Sequence, residues 1–275
     1  MERKRVYITV KTYPTISNKY DELVCTAGML EDGSWIRLYP LPFRKLNNEQ
    51  KYSKYQWIEA DIEKNQKDNR VESYKVVNRD TIRAIPLSKT SKTPWEERKR
   101  IIFKNQKIFT NLSELITLAK EKDISLAVFK PSRIVRVIHE ETDREWPKEK
   151  LEQLASKAKQ LSLFETEAEM VRQFQVVQKI PYKFSYVFTD DSGRESTLMI
   201  EDWEIGMLYL HCLEGADGDE GKALEKVKEK YFDEFIKTDL YFFLGTTLEF
   251  HWIALNPFII IGIFHPPVDK QGVLF

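Results

Sequence analysis

Three stretches near the start of the chain alternate apolar and polar residues with a period of two, and the last two are joined by turn chemistry. Val6-Tyr7-Ile8-Thr9-Val10-Lys11, Leu23 to Met29 and Ser34 to Tyr39 read as strands, and Glu31-Asp32-Gly33 between the second and third supplies a hairpin turn. That period places Val6, Ile8 and Val10 on one face and Tyr7, Thr9 and Lys11 on the other; in the same way Ile36 and Leu38 oppose Trp35, Arg37 and Tyr39. One face is aliphatic and can line a core. The other is aromatic and basic, so the first part of the chain is predicted to be a β structure with two chemically distinct surfaces.

The rest of the chain alternates between strand and helix patterns. Tyr55 to Glu63, Leu126 to Phe129 and Arg133 to His139 continue the strands, Pro94 opens one helix, and Asn111 caps a second with Glu114 in the capping-box position. From Thr142 to Lys179 the texture becomes charged and helical. Lys183 to Thr189 and Ser196 to Ile200 flank the hairpin signature Asp190-Asp191-Ser192-Gly193. A helix over Trp203 to Leu213, apolar nearly all round, is expected to be buried, and an amphipathic one follows over Lys222 to Ile236. Leu240 to Gly245 and Phe258 to Phe264 are apolar on both faces and suit the centre of a sheet. The predicted fold is α+β: a small barrel-like β domain with two inserted helices over 1–140, a helical connector over 141–180, and a mixed domain of antiparallel sheet and two helices over 181–275. The sequence shows no internal repeat.

Charge divides the chain where the domains are predicted to meet. Residues 1–140 hold 28 Lys+Arg against 18 Asp+Glu, and the remainder 15 against 25, so a formal net charge of +0 joins a +10 part to a −10 part. A basic surface points to DNA or RNA, and the acidic half suits a basic protein partner. Stacking rings and phosphate-neutralising cations would come from Tyr7, Lys11, Trp35, Arg37 and Tyr39 on the strands and from Arg44, Lys45, Lys51 and Lys54 in the loop that follows. The longest apolar run, Phe258 to Phe264, is far short of the roughly 20 residues that span a bilayer, and the start carries no apolar signal region, so a cytoplasmic protein with no membrane partner is expected. Cys25 and Cys212 stand apart without a CxxC pair, and the four histidines have no metal-ligand spacing.

Catalysis is not legible, and whether the chain is an enzyme stays open. Glu59, Asp61 and Glu63 share a strand face, and Glu201, Asp202 and Glu204 cluster at a strand-to-helix junction. Either trio would suit Mg²⁺ in a metal-dependent nuclease. Each also has a structural reading, the first as a solvated strand face and the second as an N-cap, and on that reading no cofactor is needed. No phosphate-cradling glycine loop or nucleophile elbow is present.

The pentapeptide Gln160-Leu161-Ser162-Leu163-Phe164 resembles the short peptide by which bacterial replication and repair proteins dock on the DNA sliding clamp. The resemblance implies that Gln160 anchors at the rim of an apolar cleft, Leu161 makes a secondary contact, and Leu163 and Phe164 fill the cleft. Gln271-Gly272-Val273-Leu274-Phe275 is a looser version. The stretches Lys11 to Thr15, Gly33 to Pro40 and Asn256 to Gly262 resemble those of an uncharacterised bacterial family, which implies no known activity. Together these readings point to a nucleic-acid-binding accessory protein of bacterial DNA metabolism, with clamp recruitment implied by the pentapeptide. The alternatives are a nucleic-acid-processing enzyme and a non-catalytic subunit of a protein assembly.

Overall fold

A computed structural model describes residues 1–16, 22–86, 95–121, 124–161 and 177–268. The chain is mixed α and β, as its patterning predicts. The first sheet contains β1 (Glu2–Lys11), β2 (Thr15–Ile16), β3 (Glu22–Leu30), β4 (Trp35–Leu41), β5 (Trp57–Lys64), β6 (Ser73–Val76) and β7 (Arg83–Ala84). Five of these form a closed path, β1-β3-β4-β6-β5 and back to β1, in which β4 and β6 run parallel and every other pair is antiparallel. Counted along the chain, the path is 1-2-3-5-4-1, the order of the five-stranded oligonucleotide/oligosaccharide-binding barrel. Its first strand serves two partners: Glu2 to Tyr7 pair with β5, and Val6 to Lys11 pair with β3. The predicted aliphatic face fills the interior through Val6, Ile8, Ile36 and Leu38, packed on Val24, Ile58, Ala60 and Ile62, but a bulge between Ile8 and Val10 breaks the alternation and turns Val10 to the other face, beside Tyr7.

The second sheet is built from β8 (Ile108–Phe109), β9 (Leu126–Phe129), β10 (Arg133–Glu141), β11 (Tyr182–Thr189), β12 (Glu195–Ile200), β13 (Tyr241–Thr246) and β14 (Phe258–Phe264), in the order β10-β11-β12-β14-β13-β9-β8. Helices α1 (Trp95–Ile102), α2 (Leu112–Lys120), α3 (Lys148–Leu161), α4 (Trp203–Gly215) and α5 (Glu220–Lys228) accompany it. The two ends of the main path, β9 and β10, are consecutive in the chain, separated only by a break around buried Pro131. Taken as one bent strand, β9 pairs with β13 and β10 pairs with β11, while β12 and β14 run parallel. The path is again 1-2-3-5-4-1, and α4 and α5 fall between its third and fourth strands. The chain is therefore two barrels of one topology, a repeat that the sequence does not reveal.

Several expectations are corrected here. Residues 108–141 belong to the second body, because β9 and β10 bond to β13 and β11, whose residues lie far along the chain. The C-terminal sheet is not purely antiparallel: β12–β14 and β8–β9 are parallel. Helix α4 buries Ile205, Gly206 and Tyr209 but leaves Met207 and His211 in solvent, so it is not buried all round. Asn111 does cap α2, its side chain accepting from Glu114 N at 3.1 Å. No helix among the described residues is long and apolar enough to cross a membrane.

Candidate nucleic-acid interface

The aromatic and basic face of the first barrel exists as parity predicts, but it is not a surface. Tyr7, Ala27, Met29 and Trp35 pack against Leu126, Val128, Tyr241, Phe243, Ile261 and Phe264 on the outer side of β9, β13 and β14. Trp35 meets Phe243 edge-on at 5.7 Å, and the Tyr7 ring lies 5.1 Å from that of Trp57. Burial pushes the Tyr7 phenol well above its ordinary value. Arg37 is 1% exposed. Tyr7, Trp35 and Arg37 thus form the joint between the barrels, and their assignment to a polynucleotide is corrected. A second packed layer and an open stacking platform have the same strand-level pattern; only the partner sheet tells them apart.

At one end of this joint lies a buried polar cluster. Arg37 Nη1 donates to Ser125 Oγ at 2.8 Å and Ser73 Oγ at 3.2 Å, and its Nη2 donates to the Ser125 carbonyl at 3.1 Å. Glu72 accepts from Ser125 N and Oγ at 3.0 and 2.5 Å. Arg70 grips Asp68 through two bonds of 2.8 and 2.5 Å, and its Nη1 donates to the Thr246 carbonyl. Two guanidiniums and two carboxylates therefore balance, with Arg37 bridging a first-barrel strand to the start of β9. Buried His251 sits above them; desolvation, then the fields of Arg70 and Arg37, bring it down to about 4, so it is neutral at pH 7.

A second polar group closes the other end. Lys54 Nζ donates to Glu204 Oε2 at 2.5 Å and to the Ile263 carbonyl at 3.1 Å, and lies 3.6 Å from Asp202 Oδ2. Asp202 is the N-cap of α4, accepting from Glu204 N at 3.2 Å. Burial raises its carboxyl to about 7, against the pull of Lys54, while Glu204 is held below its ordinary value by Lys54. The Lys11 ammonium lies 4.5 Å from the Phe43 ring and 5.2 Å from that of Trp203. Lys11 and Lys54 are thus committed inside the protein. Glu201 is half-buried, with its carbonyl accepting from Tyr13 N at 3.0 Å. Of the two readings of the acidic trio, Asp202 and Glu204 take the structural one as a helix cap and an ion pair, and no group of three ligating side chains gathers among the described residues. Glu59 and Asp61 are likewise matched by Arg3 and Arg5, and Glu63 by Lys75.

Of the other predicted contacts, Tyr39, Arg44 and Lys45 are half-buried and Lys51 is exposed. Gln160 and Leu161 fall in the last turn of α3. Leu163, Phe164 and the terminal pentapeptide lie outside the described residues.

A basic surface that sequence reasoning missed runs along α1 and just beyond it. From Arg98 to Ser113 the chain carries Arg98, Lys99, Arg100, Lys104 and Lys107 and no acid, a pattern that was open to inspection but overshadowed by the acids at the start of the helix. Arg98 stacks 4.4 Å from the Tyr55 ring and 4.7 Å from that of Trp95, Lys99 pairs with Glu96 at 3.0 Å, and Arg100, Lys104 and Lys107 are exposed, the last paired with Glu114. The hairpin at Glu31-Asp32-Gly33 fixes this segment. Lys104 Nζ donates to the Glu31 carbonyl at 2.6 Å, Asn105 Nδ2 to the Asp32 carbonyl at 2.7 Å, and Gln106 Nε2 to the Gly33 carbonyl. Gly33 has φ +88°, and a Cβ there would stand 2.0 Å from the Lys104 carbonyl oxygen, so only glycine lets the segment approach. Between α1 and the barrel wall lies a groove of about 740 Å³ whose lining includes Trp57 and Phe103, the cations Lys99, Arg100 and Lys104, and the acids Glu31, Glu96 and Glu97. Arg5 lies 5.4 Å from the Trp57 ring.

Fold and geometry define a protein of two same-order barrels locked face to face, with a cation-bearing helix across their junction. By sequence, the chain belongs to the family described as Domain of unknown function (DUF8757), which matches residues 108–275; a second, Domain of unknown function (DUF8758), matches residues 2–104. The boundary between the two matches falls where strand pairing divides the barrels. No curated protein matches the sequence. Among solved structures, a murine DNA binding protein bound with double-stranded DNA is similar over 97% of this chain and 95% of that one, at 8% identity and a TM-score of 0.29, a likeness too low to carry an argument.

Proposed function

We propose that this chain is a nucleic-acid-binding accessory protein of bacterial DNA metabolism, and that its contact surface is the groove beside α1. The observation that carries the reading is the run of five cations over residues 98–107 on a rigid segment beside Trp57 and Phe103. Aromatic side chains give sequence-tolerant stacking and cations neutralise phosphates, which is the usual chemistry of single-strand binding. Barrel topology supports the class only, since the fold alone assigns no function and the face such barrels commonly use is buried in the first one. Titrating labelled single-stranded DNA and RNA at two salt concentrations tests the reading. Arg100→Glu plus Lys104→Glu is expected to weaken binding by about tenfold or more and to reduce the slope of log affinity on log salt by about 1.4 for two lost contacts. Wild-type protein that binds neither polymer, or a double variant with the wild-type affinity and slope, would sink it.

Recruitment by the sliding clamp rests on Gln160 to Phe164. Docking of that kind uses an extended backbone, whereas α3 runs through Leu161, so the proposal includes unwinding of its last turn. Helix ends fray at little cost. On a sizing column, a purified bacterial clamp is expected to retain the wild-type chain and to lose it on Leu163→Ala plus Phe164→Ala; co-elution untouched by those changes means that this peptide is not the tether.

A further inference from the structure

Between β13 and β14 the chain makes a loop over residues 247–256 that presents Leu248, Phe250, Ile253 and Leu255 to solvent, at 41, 47, 74 and 88% exposure. Val71, 46% exposed, stands on the first-barrel loop that Arg70 pins to Thr246, next to this one. Half of the ten exposed large hydrophobics among the described residues therefore gather at one end of the molecule. The loop is held in this attitude. His251 N donates to the Thr247 carbonyl and Ala254 N to the Phe250 carbonyl, each at 3.0 Å, while the His251 ring is buried beneath, 1% exposed.

We infer that this patch is the two-fold interface of a homodimer. Glu249 is the one charged residue over 247–256, with no cation, so the loop has nothing to attract phosphate, and its natural complement is another apolar surface. The five side chains expose on the order of 500 Å² of apolar surface, near the upper limit for a monomer's largest patch. With a polar rim, that approaches the roughly 800 Å² per partner of a stable interface. A second copy is the occupant that needs no further component: two-fold pairing sets the same patch against itself, and a formal net charge of +0 leaves no overall repulsion between copies.

Light scattering on the full chain, up to its solubility limit, gives the test. The wild type is expected at twice the 32.6 kDa chain mass. Ile253→Glu plus Leu255→Glu, at positions exposed enough to leave the fold and its melting temperature intact, is expected at the single-chain mass. Met207→Glu, an equally large change on exposed α4, is expected to stay dimeric. A wild type that remains at the single-chain mass, or a dimer that survives the loop substitutions, overturns the inference. Both results leave the groove beside α1 untouched, so they are separable from the nucleic-acid reading.

Discussion

Arg37→Ala is expected to lower the melting temperature by about 10 °C while leaving the nucleic-acid affinity of the folded protein unchanged. The guanidinium makes two hydrogen bonds across the joint, to the side chain and carbonyl of Ser125, and a third within its own barrel to Ser73. Its loss leaves buried Asp68 and half-buried Glu72 facing a single compensating cation, Arg70. Breaking a buried charge network of this kind costs about 3–5 kcal/mol, and each kcal/mol moves the midpoint of a chain this size by about 2–4 °C. Lysine would not rescue it, because a single ammonium cannot fork between two serines. Differential scanning calorimetry with a parallel binding titration checks both halves. A variant that melts with the wild type but has lost binding would return Arg37 to the ligand surface.

Lys54→Met is expected to cost about 3 kcal/mol, less than Arg37 because one of its two carboxylate partners, Glu204, is half exposed. The deficit is expected to grow with pH, since Asp202 and Glu204 can share a proton in acid but must both ionise in base once the cation is gone. In the wild type, the Asp202 carboxyl is raised to about 7 against an ordinary value of 3.8. Its contribution is complete below about pH 4 and is lost as pH rises toward 7. His251 and His265 act in the opposite sense: both are depressed to about 4 by burial, so their contribution is complete above about pH 6.5 and is lost as pH falls toward 4. Asp202→Asn keeps the capping oxygen and removes the first effect only. Relative to wild type, its stability in urea is expected to rise between pH 4.5 and 7.5; a constant difference would mean that Asp202 is ionised throughout.

The sequence was informative about strands and silent about their neighbours. Hairpin chemistry at Glu31-Asp32-Gly33 and at Asp190 to Gly193, and the parity of Val6 to Ile8, are local, so most of the first barrel's inner face was legible, up to the bulge that turns Val10 away. Whether Trp35 and Arg37 face water or another sheet depends on Phe243 in the one case and Ser125 in the other, 208 and 88 residues away, and period-two alternation carries no information about that. Pairing with strands beyond the connector likewise places β9 and β10 in the second body, which their own patterning does not show. The repeat stayed hidden because the barrels spend different segments on the same connection: the first joins its third and fourth strands by a short loop with one helical turn, the second by α4 and α5. Counting cations also misled. Arg3 and Arg5 are spent on Glu59 and Asp61, Lys11 and Lys54 on the joint, and Lys99 and Lys107 on Glu96 and Glu114, so the basic count of the first half overstates the charge on its surface, and the exposed Arg100 and Lys104 at α1 are what the nucleic-acid reading rests on.

The barrels meet through unlike faces, the first three strands of one against the fourth, fifth and first of the other. Contacts of that head-to-tail kind do not close on themselves, and chains that use them can add units without end into fibres. Here the growing ends are blunted. Beyond the part that Tyr7 and Trp57 commit to the joint, the first barrel's own fourth and first strands carry Arg3, Arg5, Glu59 and Asp61, and on the second barrel Arg136 of the first strand reaches Glu195 of the third. Stripping those charged pairs from both ends would remove the barrier that stops the stack at two.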